Sequence, residues 1–174
     1  MKNVSIIIIT YKSEKIIYDF IKKIPSTIKT IIIENSQNHK LKMDIEKEYK
    51  NISLYIKENN GVSSALNFAV DKIDTEYFLQ ISPDVHFNFE DLEIFLNYAE
   101  RLDNNFAALG PRFLNVNSKS HKQINKNVES AAIDSIHGSC MFINKRNFEI
   151  IGKFDENFFL YFEETEYCLR GKKK

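Results

Sequence analysis

The side chains able to do chemistry in this chain are mostly carboxylates that follow apolar runs. Asp84 comes after Tyr77–Ile81 and Ser82–Pro83, with His86 two residues on. A carboxylate so placed can hold Mg²⁺ or Mn²⁺, because hard cations take one or two carboxylates and complete their shell with phosphate oxygens and water. Ser-Pro-Asp is also a turn sequence, with proline setting φ and aspartate bonding nearby backbone. The two readings are compatible. Glu34 closes the apolar run Thr30–Ile33 and precedes Asn35–Ser36. It can accept hydrogen bonds from a ribose hydroxyl or a base N–H, or end a solvated strand beside an Asx turn. The cluster Glu163–Glu164–Thr165–Glu166 follows the aromatic run Phe158–Phe162. Carboxylates beside apolar bulk have raised pKa values, which suits a general base. Acidic residues also favour the positive end of a helix.

Other polar positions say less. His137 stands beside Gly138, and a lone histidine is more often structural; His39 and His121 lie in polar segments. Asn59–Asn60–Gly61 reads as a loop capping the next helix, with backbone N–H groups that could face an anion. No G-x-x-x-x-G-K-[ST] and no G-x-G-x-x-G is present, and the chain has 5 glycines, so a P-loop or an ordinary dinucleotide fold is disfavoured. Lys+Arg 24 balance Asp+Glu 24. That excludes a surface built throughout to grip nucleic acid, although Lys172–Lys174 form a small basic patch. Cys140 and Cys168 lie far apart, which points away from a disulfide framework and towards a reduced, cytoplasmic compartment. Lys2 and Val4–Ile9 resemble a leader only briefly, because polar Thr10–Ser13 follows, and no run approaches the roughly 18 apolar residues of a membrane span.

The elements that must position these groups alternate. Val4–Ile9 reads as a strand buried on both faces, then Ser13 caps a helix bearing Ile16, Ile17, Phe20, Ile21 and Ile24, stopped by Pro25. Strands follow at Thr30–Ile33, Ile52–Ile56 and Tyr77–Ile81. Between them lie helices carrying Leu41, Ile45 and Tyr49, and then Val62, Ala65, Leu66, Ala69, Val70 and Ile73. Asn88 caps a helix with Leu92, Phe95, Leu96, Ala99 and Leu102. Phe106–Leu109 reads as a short strand, 115–130 as a surface loop, and Ile133–Ile143 as containing another strand. Helical character resumes at Lys145–Ile151 and from Glu163. The pattern predicts one α/β domain over residues 1–174, with a mostly parallel sheet flanked by helices. Ligands in such sheets bind beyond the carboxyl ends of the strands. That rule selects Thr10–Tyr11, Glu34–Ser36, Ser82–Asp84 and the region after Ile143.

Taken in order, these segments resemble the family 2 nucleotide-sugar glycosyltransferases, which have the GT-A fold. Val4–Tyr11 resembles the family's opening strand. Glu34-Asn35-Ser36 resembles its Asp-Asn-x-Ser turn, with Glu for Asp. Asn60–Asn67 is similar to its Asn-x-Gly-x-x-x-Ala-x-Asn helix start. Ser82-Pro83-Asp84-Val85 is similar to the Asn-Pro-Asp-Val variant of D-x-D, typical of rhamnosyltransferase-like members. Gly138–Ile143, Gly152–Phe159 and Glu163–Arg170 resemble the blocks ending in G-G-F-D-E-x-F-F and E-D-x-D-x-x-x-R.

The resemblance implies an inverting glycosyltransferase. It would move a sugar from a UDP- or dTDP-sugar donor to a glycan or lipid-linked acceptor in bacterial surface polysaccharide synthesis. Asp84 would bind Mg²⁺ or Mn²⁺ at the donor diphosphate. Thr10, Tyr11, Glu34, Asn60, Gly61 and Asn67 would line the nucleotide pocket. Glu164 falls where the family has its aspartate base, one methylene longer, with Glu163 as the second candidate. The family's domain continues past the E-D block, so an acceptor-side part would be missing from these 174 residues. The implied setting is cytoplasmic, at most peripheral at the inner face of a membrane, without nucleic acid. Two further readings are a non-catalytic nucleotide-sugar-binding module and a sugar nucleotidyltransferase. The second lacks its Gly-rich basic loop, since Thr10–Ser13 occupies that place.

Overall fold

The computed structural model describes residues 3–112 and 129–173. His121, Lys174 and most of the expected 115–130 loop lie outside the described residues. Five strands form one sheet in the order β3-β2-β1-β4-β5. They are β1 (Val4–Thr10), β2 (Thr30–Glu34), β3 (Ile52–Ile56), β4 (Tyr77–Ile81) and β5 (Cys140–Asn144). The first four are mutually parallel, and β5 runs antiparallel on β4. β1 lies centrally, and its continuous isoleucine run follows from burial on both sides.

Successive residues of a strand face opposite ways, so the sheet divides its apolar residues between two layers. Ile6, Ile8, Ile32, Leu54, Leu79 and Phe142 meet α1 (Glu14–Ile21), α2 (His39–Glu48) and α4 (Leu92–Arg101). Ile7, Ile31, Ile33, Phe78, Met141 and Ile143 meet α3 (Val62–Val70), α5 (Lys145–Ile151) and α6 (Glu163–Lys172). Each fully buried aliphatic or aromatic side chain is worth about 1.5–3 kcal/mol.

Some local expectations are corrected. Phe106–Leu109 is not a strand. Only Leu109 trades N–H and C=O with Phe142, at 2.8 Å each way, and Gly110–Pro111 then ends any ladder because proline has no N–H to offer. Ser13 stands at the start of α1 but does not cap it; its Oγ donates to the Tyr11 carbonyl at 3.2 Å. Asn88 does cap, accepting from the Glu90 N–H at 3.3 Å to open the 3₁₀ turn Phe89–Asp91 ahead of α4.

The path from α5 to α6 is held by three braces. The Arg170 guanidinium donates to the carbonyls of Ile151, Gly152 and Lys153 at 2.8–3.1 Å and is fixed by Glu166 one helical turn back. Asn67 on α3 accepts from the Phe154 N–H at 3.0 Å and donates to the Phe154 carbonyl and Glu156 carboxylate at 2.9 Å. At the start of α3, the Val62 N–H donates to the Phe159 carbonyl and Ser63 Oγ to the Phe158 carbonyl. Gly61 sits at φ 92°, and a Cβ there would lie 2.5 Å from the Phe159 carbonyl oxygen, so no other residue fits without displacing backbone.

Replacing Asn67 with alanine leaves the buried Phe154 N–H and C=O without partners. We expect a stability loss of about 2–4 kcal/mol by urea denaturation, since each orphaned buried group costs about 1–3 kcal/mol. Asp71→Asn, which removes the exposed ion pair with Lys153 at 2.9 Å, serves as the control at under about 1 kcal/mol. An Asn67→Ala loss no larger than this control would mean that the 151–159 path is held by other contacts.

Candidate active site

The strand order turns back between β1 and β4, which makes their carboxyl ends the switch point at which ligands bind in open α/β sheets. Ile7 is level with Gln80, so the same register brings Thr10 level with Pro83. On the other flank Thr10 is paired with Glu34. Partners in adjacent parallel strands point to the same face, so the Thr10 and Glu34 side chains share one side of the sheet.

The two loops beyond them are stitched together. The Asn35 N–H donates to the Thr10 carbonyl at 2.9 Å, and the Lys12 N–H, at φ 53°, donates to Ser36 Oγ at 3.1 Å. Thr10 Oγ1 donates to the Ile33 carbonyl at 3.3 Å. Glu34 is fully buried, and its carboxylate accepts from the Ser36 N–H at 2.8 Å, the Ser36 hydroxyl, and the Asn38 N–H at 2.6 Å. Glu34 therefore shapes its own turn, where a ribose contact was expected. Asn35 is also buried, and its Oδ1 has no partner. Tyr11 is half exposed at the mouth of these loops, with the Lys12 ammonium 5.2 Å from its ring centre.

Asp84 is exposed on the turn closed by the Val85 N–H to Ser82 carbonyl bond of 3.1 Å, and no described side chain or backbone group bonds its carboxylate. No group of three or more His, Cys, Asp or Glu that could hold a metal occurs among the described residues. The arrangement suits a cation shared between one carboxylate and phosphate oxygens, not one caged by protein alone. The Ser82 N–H donates to the Ser139 carbonyl at 2.9 Å, tying this turn to the loop before β5. Glu164 packs on that same loop: a Cβ on Gly138 would meet its Cγ, Cδ and Oε2 at 3.5 Å. Glu164 is half-buried, receives the Thr165 hydroxyl at 3.1 Å, and forms no ion pair with a described Lys or Arg. The turn that carries Asp84 and the start of α6 that carries Glu164 thus meet at one short loop although they are 80 residues apart in the chain.

Glu163 behaves differently from its neighbour. It is 7% exposed, its Oε2 has no partner, and it lies one turn before the buried Tyr167 on the inward face of α6. Burial pushes its pKa up, and the adjacent Glu164 charge adds to the rise. Among the other expected contacts, Asn60 is exposed. The Gly61 position and the Val62 N–H are taken up by the Phe159 carbonyl. Both amide protons of Asn67 are engaged by Phe154 and Glu156, so Asn67 is a brace, where a nucleotide contact was expected. Sequence reasoning quoted Arg170 within a motif but assigned it no role, although an arginine four residues after a glutamate on a helix signals a fixed guanidinium. It also passed over the Asn35 side chain, whose orphaned oxygen only the tertiary burial reveals. A shallow, open depression lined by Tyr18, Asp44, Lys47 and Glu48 lies over α1 and α2, away from the strand ends.

Comparison with known proteins identifies the family and the fold. Residues 5–165 match the family described as glycosyl transferase family 2. The chain is 28% identical over 198 residues to the low-salt glycan biosynthesis hexosyltransferase Agl10 of Haloferax volcanii, covering 100% of this chain and 63% of that protein. Its fold is shared by S. aureus TarS 1-349 in complex with UDP-GlcNAc, at TM-score 0.67 and 17% identity, over 97% of this chain and 53% of that one. It is shared equally by GalNAc-T7 with UDP, GalNAc and Mn²⁺, at TM-score 0.66 and 12% identity, over 98% of this chain and 40% of that one. The strand ends that carry Thr10, Glu34 and Asp84, and the helix start that carries Glu164, all fall inside the matched span: the chain belongs to glycosyl transferase family 2.

Proposed function

We propose that this chain is the donor-binding and catalytic part of an inverting, metal-dependent hexosyltransferase acting in surface glycan synthesis. The single observation that carries this reading is that the Asp84 turn and Glu164 both lie against the 137–139 loop. An exposed, unpaired carboxylate at the switch point and a half-buried, unneutralised one share the 137–139 loop. The relative's name, a glycan biosynthesis hexosyltransferase, supports the reaction class. The solved neighbours that hold UDP, UDP-GlcNAc or Mn²⁺ support a nucleoside-diphosphate donor and a divalent cation. Two buried free thiols, Cys140 and Cys168, accord with a cytoplasmic setting. Among the described residues no helix is long and apolar enough to cross a membrane.

In this reading the loops at Thr10–Tyr11 and Asn35–Ser36 receive the nucleoside, with Glu34 holding the second loop in shape. Asp84, together with the donor phosphates, would hold Mg²⁺ or Mn²⁺. A bound cation there supplies positive charge to the departing diphosphate. On the acceptor side, Glu164 takes the proton of the attacking hydroxyl. The acceptor oxygen bonds to the anomeric carbon as the bond to phosphate breaks, and that electron pair leaves with the diphosphate. Attack opposite the leaving group inverts the centre. Burial raises the pKa of Glu163, which disfavours a second negative charge beside the base.

Three outcomes follow. Asp84→Asn should weaken UDP affinity in calorimetric titrations with Mn²⁺ and leave the affinity in EDTA nearly unchanged. Equal losses in both buffers would make Asp84 a turn residue only. Glu164→Gln should keep UDP binding and lower transfer from UDP-sugar by about 10²–10⁴-fold, the usual worth of a general base, and a variant with undiminished turnover would remove Glu164 from the mechanism. For Glu163, the folded-state pKa lies above the unfolded value. Its contribution is therefore most favourable at low pH and is lost as pH rises through the folded pKa. Glu163→Gln should thus stabilise the chain relative to wild type at pH 8 and gain little or nothing at pH 4, by thermal melts at both. A difference that does not change with pH would show that the pKa of Glu163 is not raised by folding.

A further inference from the structure

Four large apolar side chains stand in succession in the segment leading to α6, and all are more than half exposed: Phe159 55%, Leu160 51%, Tyr161 69% and Phe162 66%. None of the ring pairs found among the described residues includes Phe159, Tyr161 or Phe162. Tyr161 and Phe162 have φ of 68° and 72°. The left-handed region is unfavourable for bulky L residues and persists only where the surroundings impose it. Here both ends are pinned. The carbonyls of Phe158 and Phe159 are held by Ser63 and Val62, and the Phe162 carbonyl accepts the Glu166 N–H at 2.9 Å within the first turn of α6. The fold therefore presents these rings to solvent at a cost in backbone strain, immediately before Glu164.

The charge around them selects the occupant. From Phe154 to Glu166 the chain has no Lys or Arg, and with Glu163 buried and Glu166 paired with Arg170 the acidic groups that remain are Asp155, Glu156 and Glu164. An anionic lipid surface or a phosphate would be repelled. A pyranose ring has the opposite character. Its C–H face is apolar and weakly positive, which suits the negative face of an aromatic ring, and its hydroxyl donors suit carboxylate acceptors. We propose that Tyr161 and Phe162 form a stacking platform for the pyranose ring of a neutral acceptor glycan and deliver its hydroxyl towards Glu164. This rests on the glycosyltransferase reading above and adds the acceptor's chemical class and the residues that grip it.

The test is saturation-transfer NMR with methyl pyranosides of gluco, galacto, manno and rhamno configuration, alongside UDP titration in Mn²⁺. Tyr161→Asn and Phe162→Asn are combined, because asparagine tolerates the left-handed backbone and so keeps the turn while removing both rings. We expect at least one glycoside to be saturated through its ring C–H protons by the wild type, with affinity falling about tenfold in the double variant, a loss of roughly 1.4 kcal/mol, and UDP affinity retained. Wild type that saturates none of the glycosides while binding UDP would overturn the platform and leave the donor reading intact. Saturation undiminished in the double variant would overturn it as well. So would ring-dependent binding to phosphatidylglycerol vesicles, or ring-dependent self-association in sedimentation, in place of glycoside binding. Glycoside binding without UDP binding would support the platform and count against the donor reading.

Discussion

The path from Ile151 to Phe159 is the constraint on which the rest of this structure depends. It has no helix or strand after α5 to satisfy its backbone, so its polar groups must be met one by one from outside. Arg170, Asn67 and the first residues of α3 do this. The contacts are mutual. Arg170 belongs to the helix that the path delivers, and Gly61 must lack a Cβ for the path to come close enough. Remove the path and the start of α6 loses its position over the strand ends. The residues that do the positioning are therefore not those that would meet substrate, although they occupy the same motifs.

A second constraint acts at the sheet. A parallel sheet leaves the carbonyl ends of its strands open, and a reversal of strand order leaves a crevice there. This chain fills the crevice with loops that bond to each other, Thr10 to Asn35 and Lys12 to Ser36, and anchors the second loop on the buried Glu34. Three N–H or O–H donors satisfy the Glu34 carboxylate, which explains how it can lie beneath the surface with no ion pair to a described lysine or arginine. Asp84 has no such donors among the described residues and stands exposed to solvent.

The two adjacent glutamates at the start of α6 show how position on a helix divides chemically identical groups. One step along a helix turns a side chain by about 100°. Glu163 turns inward above Tyr167 and is desolvated, while Glu164 turns to the Gly138 loop and stays half solvated. Burial thereby raises the pKa of Glu163, while its neighbour stands against the loop and partly in solvent at the same helix start.

The element order, the two-faced burial of β1 and the strand ends at Thr10, Glu34 and Ser82–Asp84 were legible in the amino-acid sequence, because hydrophobic period and turn residues are local properties. The motif order carried the family for the same reason. The expected position after Ile143 is corrected: β5 is antiparallel to β4, which puts its carboxyl end at the opposite edge of the sheet and its start, with the 137–139 loop, beside Ser82. Other features could not be read locally. Whether Leu109 joins a strand depends on how many of its neighbours find partners across β5, and only one bridge forms. Asn67 and Glu34 carry the right polar groups for a ligand. Tertiary structure brought Phe154 to the one and turned the 36–38 N–H groups onto the other, so their hydrogen-bonding capacity is already engaged. The sequence by itself determined which residues could act and in what order they come. Only the tertiary structure decided which of them have unsatisfied groups, because a hydrogen bond between residues 87 apart is a property of packing and not of the local chain.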